Sequence, residues 1–377
     1  MLKSLSDIMH EDDFMDEHFI AKRIKVTDVA AGNLEKEKKG EKNLNIHAVD
    51  GSVSKPTLSI GQTGRSDGEK PYGGNDKQMP DSKKTSQDAI SCSSKEVHGQ
   101  FVDNLCKIDA AAAEDKGSRH AMEDAWVVLP DASFEYPGRL RCAHFAIYDG
   151  HGGRLAVEYA RKHLHANVLS AGLPRELMDV KAAKKAILEG FRRTDESLLE
   201  ESSRGNWQDG ATAVCAWILG QTVLVANIGD AKAVLARAIS DDTDLKSIVL
   251  TREHKAFYPQ ERARIQKAGG TVGANGRLQG RIEVSRAFGD RHFKKVGVIA
   301  SPDVHSFELT EREHFIILGC DGLWGVFGPS DAVDFVQEQL KETSSAAAAA
   351  RRLVREAIRE RHCKDNCTAI VIVFKHK

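Results

Sequence analysis

Five short stretches of this chain set acidic side chains where apolar runs begin or end. Asp149 closes the run in "FAIYDGHGG" and is followed by Gly150 and His151, and Asp321 closes "FIILGCDG". Glu123 and Asp124 stand directly before "AWVVL", Asp365 and Asn366 directly before "CTAIVIVF", and Asp230 sits in "NIGDAK". Each alone has an ordinary reading, because aspartate favours turns. Taken together, and if these strands are neighbours, the carboxylates converge on one end of a sheet. Clustered like charges raise one another's pKa unless cations neutralise them. Hard oxygen donors in that number suit Mg²⁺ or Mn²⁺, whereas zinc would want Cys and His clusters that the chain lacks. Two such ions sharing one bridging carboxylate can activate a water near neutral pH and hold a phosphoryl group for in-line attack.

The elements that must position these residues are legible in the patterning. "AWVVLP", "AHFAIY", "TAVCAWIL", "TVLVANI", "KAVLARAI", "HFIILGC" and "TAIVIVF" are β-branched runs bounded by turn formers, and they predict strands. "LVANIGDAKAVLA" predicts two strands joined as a hairpin at its Gly-Asp turn. "GRLAVEYARKHLHANVL" and "DVKAAKKAILEGFRRTDESLLEES" predict one pair of helices. "PSDAVDFVQEQLKET" and "SAAAAARRLVREAIRERH" predict another. "YPQERARIQKAGG" predicts a further helix, with Pro259 at its start and Gly269 and Gly270 at its end. Strands in runs separated by helix pairs favour stacked sheets with helices outside, an α+β arrangement over residues 99–377.

Residues 1–98 read differently. They are polar, rich in Gly, Ser, Lys and Asp, and without sustained period, so a disordered tail is expected. Residues 6–20 could form a short amphipathic helix for a partner, and "AKRIK" a weak nuclear signal, although a solvated charge run is the plainer account of both. The formal net charge of −1 argues against holding nucleic acid by bulk positive charge. No apolar stretch approaches the ~20 residues that cross a bilayer. Seven cysteines without paired spacing are expected to be free, buried thiols in an intracellular, reducing setting, cytoplasm or nucleus.

Several phosphate chemistries can be set aside on motifs. No cysteine has an arginine six residues on, as a cysteine phosphatase requires, and no Gly-x4-Gly-Lys-Ser/Thr loop is present. The Gly-Asp-x-His-Gly and Gly-Asn-His-Glu strings of the other large metallophosphatase class are also missing. What is present, in order, is "GSRHAMEDAW", "FAIYDGHGG", "DGATAVCAWI", "VANIGDAKAVL", "LTREHKAFYPQERARIQKAGGTV", "RIEVSRAFGD", "SPDV", "LGCDGLWGVF" and "DNCTAIVI". This series resembles the metal-dependent protein phosphatase family (protein phosphatase type 2C), most of all the integrin-linked kinase-associated type and related plant enzymes.

The resemblance implies a central antiparallel β-sandwich flanked by helix pairs, with two Mg²⁺ or Mn²⁺ ions at one end, and a monomer acting on phosphoserine and phosphothreonine in proteins. It implies that Asp149 bridges the ions, with the Gly150 carbonyl on one of them. Asp321 and Asp365 would hold the other ion, and Glu123 and Asp124 would support the first site. Arg119 would grip the phosphate with its forked donors. His151 would be the general acid that protonates the leaving oxygen. Asn366 would orient Asp365, "SRAFGD" would hold a loop beside the site, and the stretch from "REHKAFYPQ" to "GRI" would discriminate substrates.

The chain also departs from the family pattern. "DGLWG" places Gly325 where the family writes Asp, which counts against the weaker third ion and for slower turnover. "EHKA" (Glu253 to Ala256) and "GDAK" likewise replace Asp-His-Lys-Pro and Gly-Asp-Ser-Arg, changes that bear on the substrate loop and the Asp230 turn. These departures keep open an alternative in which the domain is a catalytically weak member that binds phosphoproteins or serves as a scaffold. A phosphodiesterase or nuclease would reuse the same acids, but the chain lacks a basic patch.

Overall fold

The computed structural model describes residues 107–133, 141–173, 179–239 and 244–376. The tail expected over 1–98, its amphipathic segment and its basic run lie outside the described residues. In chain order come strands β1 (Lys107–Asp115), β2 (Ala125–Leu129), β3 (Cys142–Tyr148) and the short β4 (Gly150–His151), then helices α1 (Leu155–Ser170) and α2 (Val180–Gly205). Next are β5 (Gly210–Ala211), β6 (Ala213–Leu219), β7 (Thr222–Ile228), β8 (Lys232–Ala238) and β9 (Leu245–Val249). They are followed by α3 (Pro259–Lys267), β10 (Phe288–Gly289), α4 (Arg291–Lys294) and β11 (Asp303–Glu308). The series ends with β12 (Glu313–Gly319), α5 (Asp321–Trp324), α6 (Pro329–Thr343), α7 (Ala346–Arg359) and β13 (Cys367–Lys375).

The long strands form two 5-stranded antiparallel sheets, β1-β13-β12-β8-β9 and β11-β7-β6-β3-β2. Period-two alternation sorts their side chains. Ile316, Leu318, Ile370 and Ile372 of the first sheet pack with Phe145, Ile147, Val214 and Ala216 of the second in one buried cluster between the layers. Phe315, Ile317 and Val371 alternate with these and meet Val333 and Val336 of α6 and Leu353 of α7. On the other side Trp217 and Cys215 meet Leu164 of α1 and Phe191 of α2. Both faces of each sheet are therefore covered, which is why these strands read as continuous apolar runs and not as alternations. The α+β sandwich between helix pairs is present as expected.

One element corrects the sequence reading, and a second lies outside it. β7 and β8 are not a hairpin: β7 pairs with β6 and β11, and β8 with β12 and β9, so residues 229–231 carry the chain from one sheet to the other. Ala231 belongs to the cluster between the sheets, so this corner has to cross the sandwich. Gly229 makes the corner at φ +93°, where a Cβ would stand 2.4 Å from Cβ of Thr212. The second is β1, "KIDAAAAED", whose alanines favour helix on propensity. Pairing with β13 along its full length makes it a strand.

The core also holds one misfit. His144 is fully buried against Trp217, ring centroids 4.6 Å apart, with His165 at 6.2 Å. Neither ring nitrogen has a well-formed hydrogen bond, and the Ala216 backbone is only a weak partner. Burial, with the neighbouring His165, pushes its pKa down from 6.5 to about 3. A depressed imidazole pKa means that the unfolded chain takes up the proton first. Stability is then lost progressively as pH falls from 6.5 towards about 3. His144→Leu is expected to flatten this dependence by up to about 1.4 kcal/mol per pH unit. Urea unfolding at a series of pH values from neutral downward checks it, and an unchanged slope would contradict the assignment.

Candidate active site

Strand register accounts for the convergence of the acids. β3 pairs with β2 so that Tyr148 faces Ala125, which puts Asp149 beside Asp124. β12 pairs with β13 and β8 so that Gly319 faces Ala369 and Lys232, which brings Asp321, Asp365 and Asp230 to the same end. Arg119, Glu123, Asp149, Gly150, His151, Asp230, Asp321, Asp365 and Asn366 all line one cleft of about 700 Å³. Carboxylate oxygens of Asp149, Asp230 and Asp321 lie within 4.8 Å of one another. Asp124 stands behind that wall, 1% exposed, and accepts a 2.7 Å bond from Oγ1 of Thr368. Its carboxylate groups with Asp149 and Cys320, again within 4.8 Å. The Cys320 thiol is spent within the fold, receiving Thr368 N–H at 3.1 Å and facing Asn366 O at 3.4 Å. Burial holds that thiol well above its usual range, which suits packing and not metal ligation.

The electrostatics are those of too many acids in one place. Desolvation, then the charges of Asp124, Asp321 and Asp230, raise Asp149 well above the ordinary carboxylate range. Burial pushes Asp124 to about 6. Burial and Asp321 push Asp230 to about 6 as well, although Lys255 Nζ stands 3.5 Å away and opposes the rise. Desolvation, Asp365 and Asp124 raise Asp321, whose side chain still reaches the solvent of the cleft. The side chains present do not neutralise this cluster, and a hard divalent cation would.

Glu123 and Arg119 are placed by Asn366. Its Oδ1 accepts from Glu123 N–H at 2.7 Å, and its Nδ2 donates to Lys116 O at 2.9 Å and Ala121 O at 3.0 Å. Its backbone N–H donates to Asp365 Oδ1 at 2.8 Å. The side chain expected to orient Asp365 is thus a clamp on the 116–123 loop, and only its backbone steadies Asp365. Arg119 donates to Asp365 Oδ2 at 2.5 Å.

His151 occupies β4, which pairs with β5 so that the histidine faces Gly210, and β10 completes this 3-stranded ribbon. His151 Nε2 lies 2.8 Å from Oδ2 of Asp290. Burial alone would lower the imidazole, but the hydrogen bond and charge of Asp290 outweigh it and the pKa is raised. Asp290 closes "SRAFGD", which had been expected only to support the loop, so here sequence reasoning missed a residue of the cleft. That segment is locked by Glu261 of α3, which accepts from Ser285 Oγ (2.5 Å), Arg264 (2.6 Å) and Arg286 (2.8 Å). Burial opposes its ionisation, yet Arg286, Ser285 and Arg264 together hold it at about 2. Arg277, Arg281 and Glu283, from the stretch expected to discriminate substrates, form the rim of the cleft.

The family model described as Protein phosphatase 2C matches residues 108–367. The chain belongs to that family. Among its relatives is "Probable protein phosphatase 2C 67" of Oryza sativa subsp. japonica, 78% identical over 281 residues, covering 72% of this chain and 77% of the relative. "Probable protein phosphatase 2C 8" of Arabidopsis thaliana is 63% identical over 344 residues, covering 89% and 96%. The human "Integrin-linked kinase-associated serine/threonine phosphatase 2C" is 38% identical over 283 residues, covering 70% and 72%. The crystal structure of serine-threonine phosphatase 2C from Toxoplasma gondii superimposes with a TM-score of 0.63 at 25% identity, covering 72% of this chain and 97% of that one. This protein phosphatase 2C is accordingly a metal-dependent serine/threonine phosphatase. Its clustered acids, all hard oxygen donors, fit that dependence. Gly325, at the C-terminal cap of α5, brings no side chain to the cleft. Among the described residues no helix is long and apolar enough to cross a membrane.

Proposed function

We propose that this phosphatase hydrolyses phosphoserine and phosphothreonine in proteins at a two-cation centre of Mg²⁺ or Mn²⁺. Asp149 would be the ligand that both cations share, with the Gly150 carbonyl beside it. Asp321 and Asp365 serve one ion, and Glu123 and Asp124 support the other. The observation that carries this reading is the 4.8 Å grouping of Asp149, Asp230 and Asp321 inside a cleft that Arg119 and His151 also line. When bound, the cations supply Lewis acidity, lowering the pKa of a water and offsetting phosphate charge. The chain's residues do the rest. Arg119 turns from Asp365 to a phosphate oxygen, for which its paired N–H donors are suited. His151 gives a proton to the departing serine or threonine oxygen. Gly325, which offers no ligand atom from a side chain, counts against a third ion. Residues 99–377 form the catalytic domain and residues 1–98 a polar tail. The enzyme acts as a monomer, and the free, buried Cys142, Cys215, Cys320, Cys363 and Cys367 suit an intracellular setting.

The test is release of phosphate from a phosphothreonine peptide by the purified chain with Mn²⁺, with Mg²⁺ and with chelator. Release that needs either cation and stops with chelator is expected. A folded protein that releases none would favour the catalytically weak, phosphoprotein-binding alternative.

A further inference from the structure

Asp290 is none of the acids given to the cations, yet it is 3% exposed and stands at the cleft. Its one ion pair among the described residues is with His151, at 2.8 Å and 139 positions away in sequence. Its backbone is left-handed, φ +50°, a conformation that non-glycine residues seldom hold without a compensating role. The main chain pins it there: its N–H donates to Asp209 O at 3.1 Å, and its carbonyl accepts from Phe293 N at 2.8 Å. Asp209 in turn accepts from Leu155 N–H at 2.8 Å with its own carboxylate, so the start of α1 and the Asp290 turn are tied to one residue. Gly210 completes the arrangement. A Cβ there would stand 2.2 Å from His151 Nε2 and 2.5 Å from Asp290 Oδ2, so only glycine leaves room for the pair.

We propose that Asp290 is the positioning residue for His151, holding Nε2–H so that Nδ1 delivers the proton. The inference rests on the acid role proposed for His151. An ionised carboxylate can only accept, so Nε2 must carry the hydrogen in this pair, which sets the tautomer and the ring direction. As the P–O bond of the phosphoester breaks, its electron pair stays on the serine or threonine oxygen, and the Nδ1 proton moves to that oxygen. The imidazole is left neutral, with Nε2–H still on Asp290.

Proton donation matters for an alkoxide leaving group and little for p-nitrophenolate. The test therefore compares kcat for a phosphothreonine peptide with kcat for p-nitrophenyl phosphate, using the full chain with Mn²⁺. Asp290→Asn is expected to lower the peptide kcat about 10- to 100-fold, as loss of an orienting partner does. The ratio of the two rates should fall at least ~10-fold, with the peptide KM within about threefold. His151→Ala should shift the ratio in the same direction. Gly210→Ala should do so too, by wedging the pair apart without altering either partner, and it carries the test should Asp290→Asn not fold. An Asp290→Asn enzyme that loses both activities equally, while His151→Ala is selective, would overturn the positioning role alone. Equal losses in His151→Ala would overturn the acid role beneath it.

Discussion

Asp149→Asn should lower phosphothreonine hydrolysis by about a thousandfold or more, and should raise the melting temperature of the metal-free protein. The first effect follows from its position. Asp149 groups with Asp230 and Asp321 on one side and with Asp124 on the other, so no other acid joins both sets. Bound cations contribute several kcal/mol of transition-state stabilisation, and about 4 kcal/mol corresponds to a thousandfold. The second effect follows from the same crowding. Desolvation and three neighbouring aspartates hold its carboxyl well above its usual range, so the bare cluster opposes folding and a neutral amide relieves it. The wild type should gain about 2.7 kcal/mol from cation at a hundred times its Kd, a shift of several degrees, and the variant far less. Calorimetry with and without Mn²⁺, beside the peptide assay, reads both. Activity within tenfold of wild type would remove Asp149 from the centre of the reading.

Asn366→Ala should be the most damaging change outside the acids. It removes the partner of the half-buried Glu123 N–H and of the Lys116 and Ala121 carbonyls, and each lost bond costs about 0.5–1.5 kcal/mol, more where water does not replace it. We expect a loss of about 2–4 kcal/mol in urea unfolding and roughly a 10- to 100-fold drop in turnover, because the freed loop carries Arg119 and Glu123. Asn366→Asp should behave no better, since it restores the acceptor for Glu123 but sets a carboxylate against two carbonyls. Full activity with a loss below about 0.5 kcal/mol, the range of an ordinary surface change, would show that the clamp is dispensable.

The acids were visible in the sequence because each interrupts an apolar run at its end, where chain direction and strand period already confine it. The helices flanking them were visible for a similar reason, since Pro259 and the paired amphipathic runs mark their own limits. What stayed hidden depends on neighbours far along the chain. The 3-stranded ribbon is built of two-residue strands, too short to carry a period, and it brings His151 to Asp290 across 139 positions. The Gly-Asp turn at Asp230 misled because such a turn folds a lone hairpin equally well; only the second sheet, ready to receive Ala231 and Ala233, makes it a corner. β1 was hidden because alanine expresses no strand preference until β13 lies alongside.

That pairing of β1 with β13, from Lys107 opposite Lys375 to Asp115 opposite Cys367, has a consequence for the order of synthesis. β13 is an inner strand between β1 and β12, and its leading residues bring Asp365 and Asn366 to the cleft. A ribosome-bound chain that has emerged through α5 carries Asp149, Asp230 and Asp321, but its first strand is unpaired and its 116–123 loop unclamped. Contacts of such sequence separation close late. Catalytic competence therefore arrives with the last strand of the domain, so an incomplete nascent chain has no means of removing phosphate from its surroundings.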